Sequence, residues 1–409
     1  MPVYLIWSIS LLTVITSILV LPASMSRASW MATAGGCGFI ILYFFSKNRK
    51  YKTFIVHTVH CKKKFITVAS VIILSIVSGG FGAYHLKKDS ADGRALIWKN
   101  TLELIRQNPF GVGLGNYSGS YGHIQAAYFA TGKGTEVEER IAGNPEYAFN
   151  EYLQLFAEQG VVVFLIFTGI VGYSIYIGIK RKKIPATASL IALLIAAGAS
   201  YPFNVLPFLI VFVFLLALIN REEKGFLIPK PVSVALALGS FFIVAICLFN
   251  RYPTCDAYKK WDKVNRMYHY GDYKEAVNEY RILYPHLSDQ IKFLFEYAQS
   301  LSKSEQYNES NKVLDKAVKI SCDPMLYNIT GKNYQAMKEY ELAEKNFRKS
   351  ALIVPNRIYP YYLLMKLFIE TGEKEKALEN AEIVLTKEPK VQSTAIKEMR
   401  EEARKIFTN

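Results

Sequence analysis

Cysteine is scarce in this chain, with five in 409 residues. Cys37 and Cys247 fall in apolar runs and Cys61 in a basic loop, so no disulfide framework organises the fold. Cys255 and Cys322 share the C-terminal part, where a disulfide between them is open, because spacing alone does not set their distance. Acidic residues are sparse in the first part. The first 250 residues hold 22 Lys and Arg against 11 Asp and Glu, whereas the tail from Arg251 holds 27 against 23. The tail in turn lacks any long apolar run. A chain that is 51% hydrophobic with a mean hydropathy of +0.14 is therefore a composite, with its composition changing near Asn250.

What fills the first part is a series of apolar segments. Seven qualify as membrane spans: roughly 3–22, 30–46, 65–84, 160–179, 185–201, 206–220 and 232–250. The first lacks a basic start and is followed by further spans, so it reads as a retained span and not a cleaved signal. Seven basic residues lie in 47–64, four in Lys180–Lys183 and three in 221–230. Basic clusters between apolar runs mark cytoplasmic loops. They account for the net charge of +15 without nucleic acid, which is not expected as a partner. With all three clusters inside, the N-terminus is cytoplasmic, and the loop 85–159 and the tail lie outside. That loop carries seven basic and nine acidic residues and so lacks the inside bias.

The tail repeats. Ala276, Ser310, Ala343 and Ala377 stand at intervals of 34, 33 and 34, beside GDYKEA, SEQYNES, KEYELAEKNF and GEKEKALENA. Pro355 and Pro389 are 34 apart. This period resembles the tetratricopeptide repeat, a helix–turn–helix unit whose neighbours must stack to bury a shared core. The fold class expected is all-α: a polytopic transmembrane bundle at 1–250 with a helical outer loop at 85–159, then an α-solenoid at 251–409. The solenoid reads either as a platform for a protein partner or glycan-bearing substrate, or as a docking domain that stabilises the membrane part or an oligomer.

The outer loop carries the chemistry. Asp92 is placed to cap a helix from about Gly93 to Gln107, with Trp98 near the membrane interface and Pro109 as the stop. Gly111, Gly113 and Gly115 then alternate. Such glycines let backbone amides approach an anion, or simply make a tight turn. No strand precedes them and the spacing differs from a dinucleotide fingerprint. A second helix is expected to open near Pro145 and run into the fourth span. Its polar set is Asn150, Glu151, Gln154 and Glu158, and Phe149, Leu153 and Phe156 form its apolar set. Arg27 sits in a short turn between the first two spans, on the same outer side as Arg94. An arginine there either anchors at the interface or has a functional partner. Two guanidinium groups on one side of a membrane suit a diphosphate, whose oxygens they bind in a bidentate fork.

Ser26–Ala28 (SRA), GRALIWKNTLELIRQNPFGVGLGNY and AFNEYLQLFAEQG, followed by an apolar span, together resemble the O-antigen ligase and polymerase family of membrane proteins over about residues 1–220. The resemblance implies a metal-independent glycosyltransferase without a cofactor, on the periplasmic face of the bacterial inner membrane. It would move a glycan from undecaprenyl pyrophosphate to lipid A-core, a growing glycan or a protein hydroxyl. By position, Arg27 and Arg94 match the family's pyrophosphate-holding arginines. Gly111, Gly113, Gly115, Asn116 and Trp98 would shape the donor site, and Asn150 and Glu151 would orient the acceptor. Two departures stand out. Where the family often reads His-Asn, this chain reads Phe149-Asn150, and phenylalanine accepts no proton. His123, Glu151 and Glu146 are the alternative bases. The family also usually has more spans ahead of the SRA region, so the chain reads as an N-terminally shortened form. Both departures favour an alternative of another class, a non-catalytic membrane anchor that displays a repeat scaffold. A transporter fits less well, since the spans show no buried acidic residue and no clear inverted repeat.

Overall fold

The computed structural model describes residues 3–47, 88–221 and 229–408. The span expected at 65–84, most of the basic stretches 47–64 and 221–230, and Cys61 lie outside the described residues. The described elements are all helical. In chain order the α-helices are α1 (Val3–Ala23), α2 (Arg27–Lys47), α3 (Lys88–Gln107), α4 (Tyr117–Ala130), α5 (Glu136–Ile141), α6 (Glu151–Lys180), α7 (Ile184–Ala197), α8 (Leu206–Asn220) and α9 (Lys230–Tyr270). They continue as α10 (Tyr273–Leu287), α11 (Ile291–Lys303), α12 (Tyr307–Ile320), α13 (Pro324–Ala336), α14 (Tyr340–Ile353), α15 (Tyr359–Thr371), α16 (Lys374–Thr386) and α17 (Thr394–Thr408). Six of the seven expected spans fall on α1, α2, α6, α7, α8 and the apolar half of α9. Leucine, isoleucine and phenylalanine side chains stand exposed along α1, α8 and α9, a surface suited to hydrocarbon and not to water.

The described residues pack as two compact units, each drawn from two stretches of sequence: Met1–Arg94 with Tyr147–Lys224, and Ala95–Glu146 with Gly225–Asn409. In the first unit α2 lies along α7 through small residues. Ala28, Ala32 and Gly36 follow one another at intervals of four and are buried. A Cβ on Gly36 would stand 3.0 Å from Ala192 Cβ and 3.3 Å from the Ala188 carbonyl oxygen, so the two backbones approach closely. Such small-residue faces drive helix association where lipid removes the hydrophobic incentive. Val171, Leu190, Leu194, Phe212 and Ile219 fill the space among α6, α7 and α8.

The second unit is the repeat array plus the outer loop. Paired helices α9/α10, α11/α12, α13/α14 and α15/α16 stack in order, and α17 closes the end. Ala276, Ser310, Ala343 and Ala377, the repeating small residues, are all buried, at 0–2% exposure. The turn inside each pair repeats at the same interval. Gly271, Glu305, Lys338 and Gly372 are left-handed, with φ of +87°, +63°, +63° and +80°. The N–H after each one bonds the carbonyl five residues back: Asp272 to Met267 at 3.0 Å, Gln306 to Leu301 at 2.9 Å, Glu339 to Tyr334 at 2.9 Å and Glu373 to Phe368 at 2.8 Å. This is the Schellman closure of a helix, used four times.

The outer loop is built into this unit. Helix α4 packs on α12 and α14, the second helices of two repeats. A Cβ on Gly119 would lie 2.2 Å from the Lys319 carbonyl oxygen, and one on Gly122 would lie 2.4 Å from Cys322 Cβ. Ser118 Oγ donates to the Pro145 carbonyl at 2.8 Å and accepts from the Cys322 N–H at 3.2 Å. Gln125 Nε2 donates to the Gly143 and Ile353 carbonyls at 2.7 and 2.6 Å, and Asn356 Nδ2 to those of Glu139, Arg140 and Ala142 at 2.9–3.2 Å. Side-chain amides from α4 and from the repeats thus pair with backbone carbonyls of the irregular loop, which is what holds such a loop in place. Cys322 and Cys255 are both free. Cys255 is exposed, whereas Cys322 is buried against Ser118, and that burial pushes its thiol up to about 12.

Two expected boundaries move. Helix α3 begins at Lys88, so Asp92 lies inside it and does not cap it; helix-compatible polar residues extend the helix ahead of its apolar periodicity. The second outer-loop helix begins at Glu151 and not near Pro145. Phe149 has φ +53°, which no α-helix accommodates, and Asn150 Oδ1 caps the helix by accepting from the Tyr152 and Leu153 N–H groups at 3.1 and 3.2 Å. A further break falls within α6 at Gly160, where φ is +79° and ψ +179°.

Candidate functional site

In the first unit the two arginines come within electrostatic reach of each other. Arg27 opens α2, and its Nη2 donates to Ser90 Oγ at 3.3 Å. Arg94 Nη1 donates to the Ala199 carbonyl at 2.6 Å. Burial, and next the like charge of Arg27, pull the Arg94 pKa below its ordinary value, opposed by Tyr201. An anion between two such guanidinium groups would relieve that repulsion.

An aromatic wall backs the pair. The Arg94 guanidinium carbon stands 5.3 Å from the Phe149 ring centroid. Phe149 meets Tyr201 edge-on at 5.5 Å, and Tyr201 stacks on Tyr147 at 4.8 Å. A guanidinium over an aromatic face keeps its in-plane donors available while its flat side is held. The tyrosines are residues that sequence reasoning missed. Tyr201 ends an apolar run that reads only as membrane span, and nothing in its spacing links it to residue 149.

Asn150 and Glu151 sit next to this wall, and each has a side-chain oxygen engaged. Asn150 Oδ1 is the cap of α6. Glu151 is buried, and its Oε1 accepts from the Phe203 N–H at 2.7 Å and Asn204 Nδ2 at 3.5 Å, fastening the short 3₁₀ turn Pro202–Asn204 that follows Tyr201. Gln154 Oε1 accepts from the Ala148 N–H at 3.2 Å, and its Nε2 reaches Glu158 Oε1 at 3.5 Å.

The remaining expected residues belong to the second unit. His123 lies on α4 with its Nδ1 2.8 Å from Lys349 Nζ. The ammonium donates, so the neutral ring carries its proton on Nε2 and has no free lone pair. Burial and then the Lys349 charge lower the His123 pKa, and burial lowers that of Lys349 as well. Gly111, Gly113 and Gly115 have φ of +90°, +95° and +77° and form the turn from α3 to α4. Asn116 braces that turn: its Nδ2 donates to the Val112 carbonyl at 3.1 Å, and a Cβ on Gly113 would meet it at 2.9 Å. The glycines are therefore fixed by backbone geometry. Trp98 is half-buried on α3, and Glu146 is exposed. Among the described residues no group of three or more His, Cys, Asp or Glu could hold a metal ion.

The class is thus a helical membrane protein with several apolar helices and a tetratricopeptide-like repeat unit. Residues 12–168 match the family model of a domain described as O-antigen ligase. That domain points to glycan transfer in envelope biosynthesis. No curated protein matches the chain. Among solved structures, the chain is similar to a "Crystal structure of MamA protein" at 19% identity, covering 37% of this chain and 88% of that one, with a TM-score of 0.29. A "MamA RS-1 ArsTM double mutant" is similar at 20% identity, covering 37% and 90%, with a TM-score of 0.31.

Proposed function

We propose that the protein transfers a glycan from undecaprenyl pyrophosphate to an acceptor hydroxyl on the periplasmic face of the inner membrane, without metal or cofactor. The observation that carries this reading is the Arg27–Arg94 pair, placed within the O-antigen ligase match. The acceptor oxygen attacks the anomeric carbon, the bond from that carbon to the diphosphate oxygen breaks, and undecaprenyl pyrophosphate leaves with the glycosidic electron pair. Arg27 and Arg94 stabilise the charge that grows on the diphosphate, an effect often worth several kcal/mol. Phe149 and Tyr201 hold Arg94 flat, and Asn150 and Glu151 act as positioning residues through the α6 cap and the 3₁₀ turn. With no histidine at 149 and the His123 lone pair engaged, the acceptor proton leaves late, with the departing diphosphate. The domains keep distinct tasks: the membrane part at 1–250 holds the donor's pyrophosphate, and the tail at 251–409 serves a glycan-bearing substrate or a protein partner.

The test is transfer by the full chain in lipid, from undecaprenyl-pyrophosphate oligosaccharide to candidate acceptors, in the presence of a chelator. Release of undecaprenyl pyrophosphate is expected to need both acceptor and Arg94. Arg94→Ala and Arg27→Ala should each reduce it at least 100-fold with expression intact. Full activity in both variants would remove the clamp. The second reading, a non-catalytic membrane-anchored scaffold, is favoured by Phe149; it predicts donor binding without release for every acceptor.

A further inference from the structure

The repeat unit holds a cavity of about 410 Å³ lined mainly by the first helices of three successive repeats. Gln299, Ser302 and Lys303 come from α11, Met325, Asn328 and Lys332 from α13, and Tyr359 from α15. Helix α4 covers the second helices, so the outer loop leaves this layer available. Asn328 is the unusual member. It is 1% exposed, and its Oδ1 has no hydrogen-bond partner. Its Nδ2 meets only the Met325 thioether, at 3.5 Å. Turning the amide over leaves the other polar atom in the same position, since sulfur is a weak acceptor and no donor. One turn of helix further on, the equally buried Asn333 shows what a structural asparagine looks like here. Its Nδ2 donates to Ser310 Oγ and Asn311 Oδ1, both at 2.8 Å, and its Oδ1 accepts from Ser302 Oγ at 2.6 Å.

A buried amide without partners is costly and rare in a native interior, so a group that the protein binds is the natural partner. Met325 is the unbranched side chain covering it, and it also lines the adjoining cavity of about 420 Å³, so it has room to swing aside. Among the other lining groups are amides, hydroxyls and phenols beside the apolar Ile329 and Ala336, with Lys303 and Lys332 against one carboxylate, Glu305. Lys332 Nζ bonds the Tyr359 hydroxyl and lies 5.0 Å from that ring's centroid. Hydroxyl partners, an aromatic face and an excess of positive charge suit a sugar bearing a carboxylate.

We infer that the cavity around Asn328 is a saccharide subsite that binds an acidic stretch of the glycan being transferred, with the Asn328 amide taking a sugar hydroxyl once Met325 moves. The inference rests on the glycan-transfer reading and deepens it. The test is equilibrium binding of hexagalacturonate to the full chain in lipid nanodiscs, with maltohexaose and octaglutamate as comparisons. Hexagalacturonate should bind more tightly than either. Asn328→Leu should weaken it at least tenfold, the scale of one lost hydrogen bond to a charged or buried polar group. The same variant should unfold at an equal or higher temperature, because it removes the unpaired amide; this separates a lost ligand from a lost fold. Equal binding by Asn328→Leu, no binding, or tighter binding of octaglutamate would each overturn the subsite. Arg94→Ala should retain hexagalacturonate binding while losing transfer, so the subsite and the transfer reaction fail independently.

Discussion

The Arg94 guanidinium lies 5.3 Å from the centre of the Phe149 ring, and Phe149 holds a left-handed backbone with φ +53°. A phenylalanine in that conformation is strained by about 1 kcal/mol or more, and strain of this kind persists where the surroundings fix it. Here the surroundings are Tyr201 on one side and the arginine on the other. The position that the family resemblance assigns to a histidine is thus beside the arginine pair, occupied by a ring without a proton acceptor.

Phe149→His tests what that exchange has cost. Histidine tolerates the left-handed region better than phenylalanine, and the nearby arginines keep its ring neutral at pH 7. Transfer should rise at least tenfold in the lipid-linked donor assay, toward the roughly 10²–10⁴-fold that a placed general base supplies. An unchanged rate would mean that proton removal does not limit the reaction.

Gly119→Ala sets two effects against each other. Alanine favours a helix over glycine by about 1 kcal/mol. The new Cβ, however, would stand 2.2 Å from a backbone oxygen of Lys319, which cannot swing away like a side-chain end. Overpacking costs about 1–3 kcal/mol, so the net effect should be destabilising and should loosen the outer loop. Hydrogen exchange should quicken across 117–146 in the variant; unchanged protection would refute the tight seating of α4.

Lys338→Gly is expected to stabilise. Lys338 occupies, with φ +63°, the left-handed turn position that Gly271 and Gly372 fill in other repeats. Relief of left-handed strain is worth about 1–2 kcal/mol and the flexibility of glycine costs about 0.5–1 kcal/mol, so the gain should be at most about 1.5 kcal/mol. Gly372→Ala should move in the opposite direction. Denaturant melts of both variants check the pair of signs.

His123 gives the repeat unit a pH dependence. Its folded pKa is depressed, by burial first and then by Lys349. The unfolded chain therefore binds a proton more readily than the folded chain, and stability falls as pH drops below about 6.5. His123→Gln should flatten the fall in melting temperature between pH 7 and pH 5.5. An unaltered slope would place the pH response elsewhere.

The spans, the repeats and their order were legible in the sequence, because each is a one-dimensional property. Apolar length specifies a membrane helix. A period of 33–34 residues specifies a repeated helical pair, although not the left-handed turn at Glu305 and Lys338, where no glycine signals it. The arginines were legible as charges out of place beside a membrane. Other features belong to the tertiary structure alone. That Ser118, Gln125 and the Glu139, Arg140 and Ala142 carbonyls are fastened by Cys322, Ile353 and Asn356 depends on contacts across more than 200 residues. The same holds for Tyr201 beside Phe149, and for Asn328 left unpaired while Asn333 is satisfied. Composition and spacing state what a side chain can do; only packing decides which partner it meets, or that it meets none.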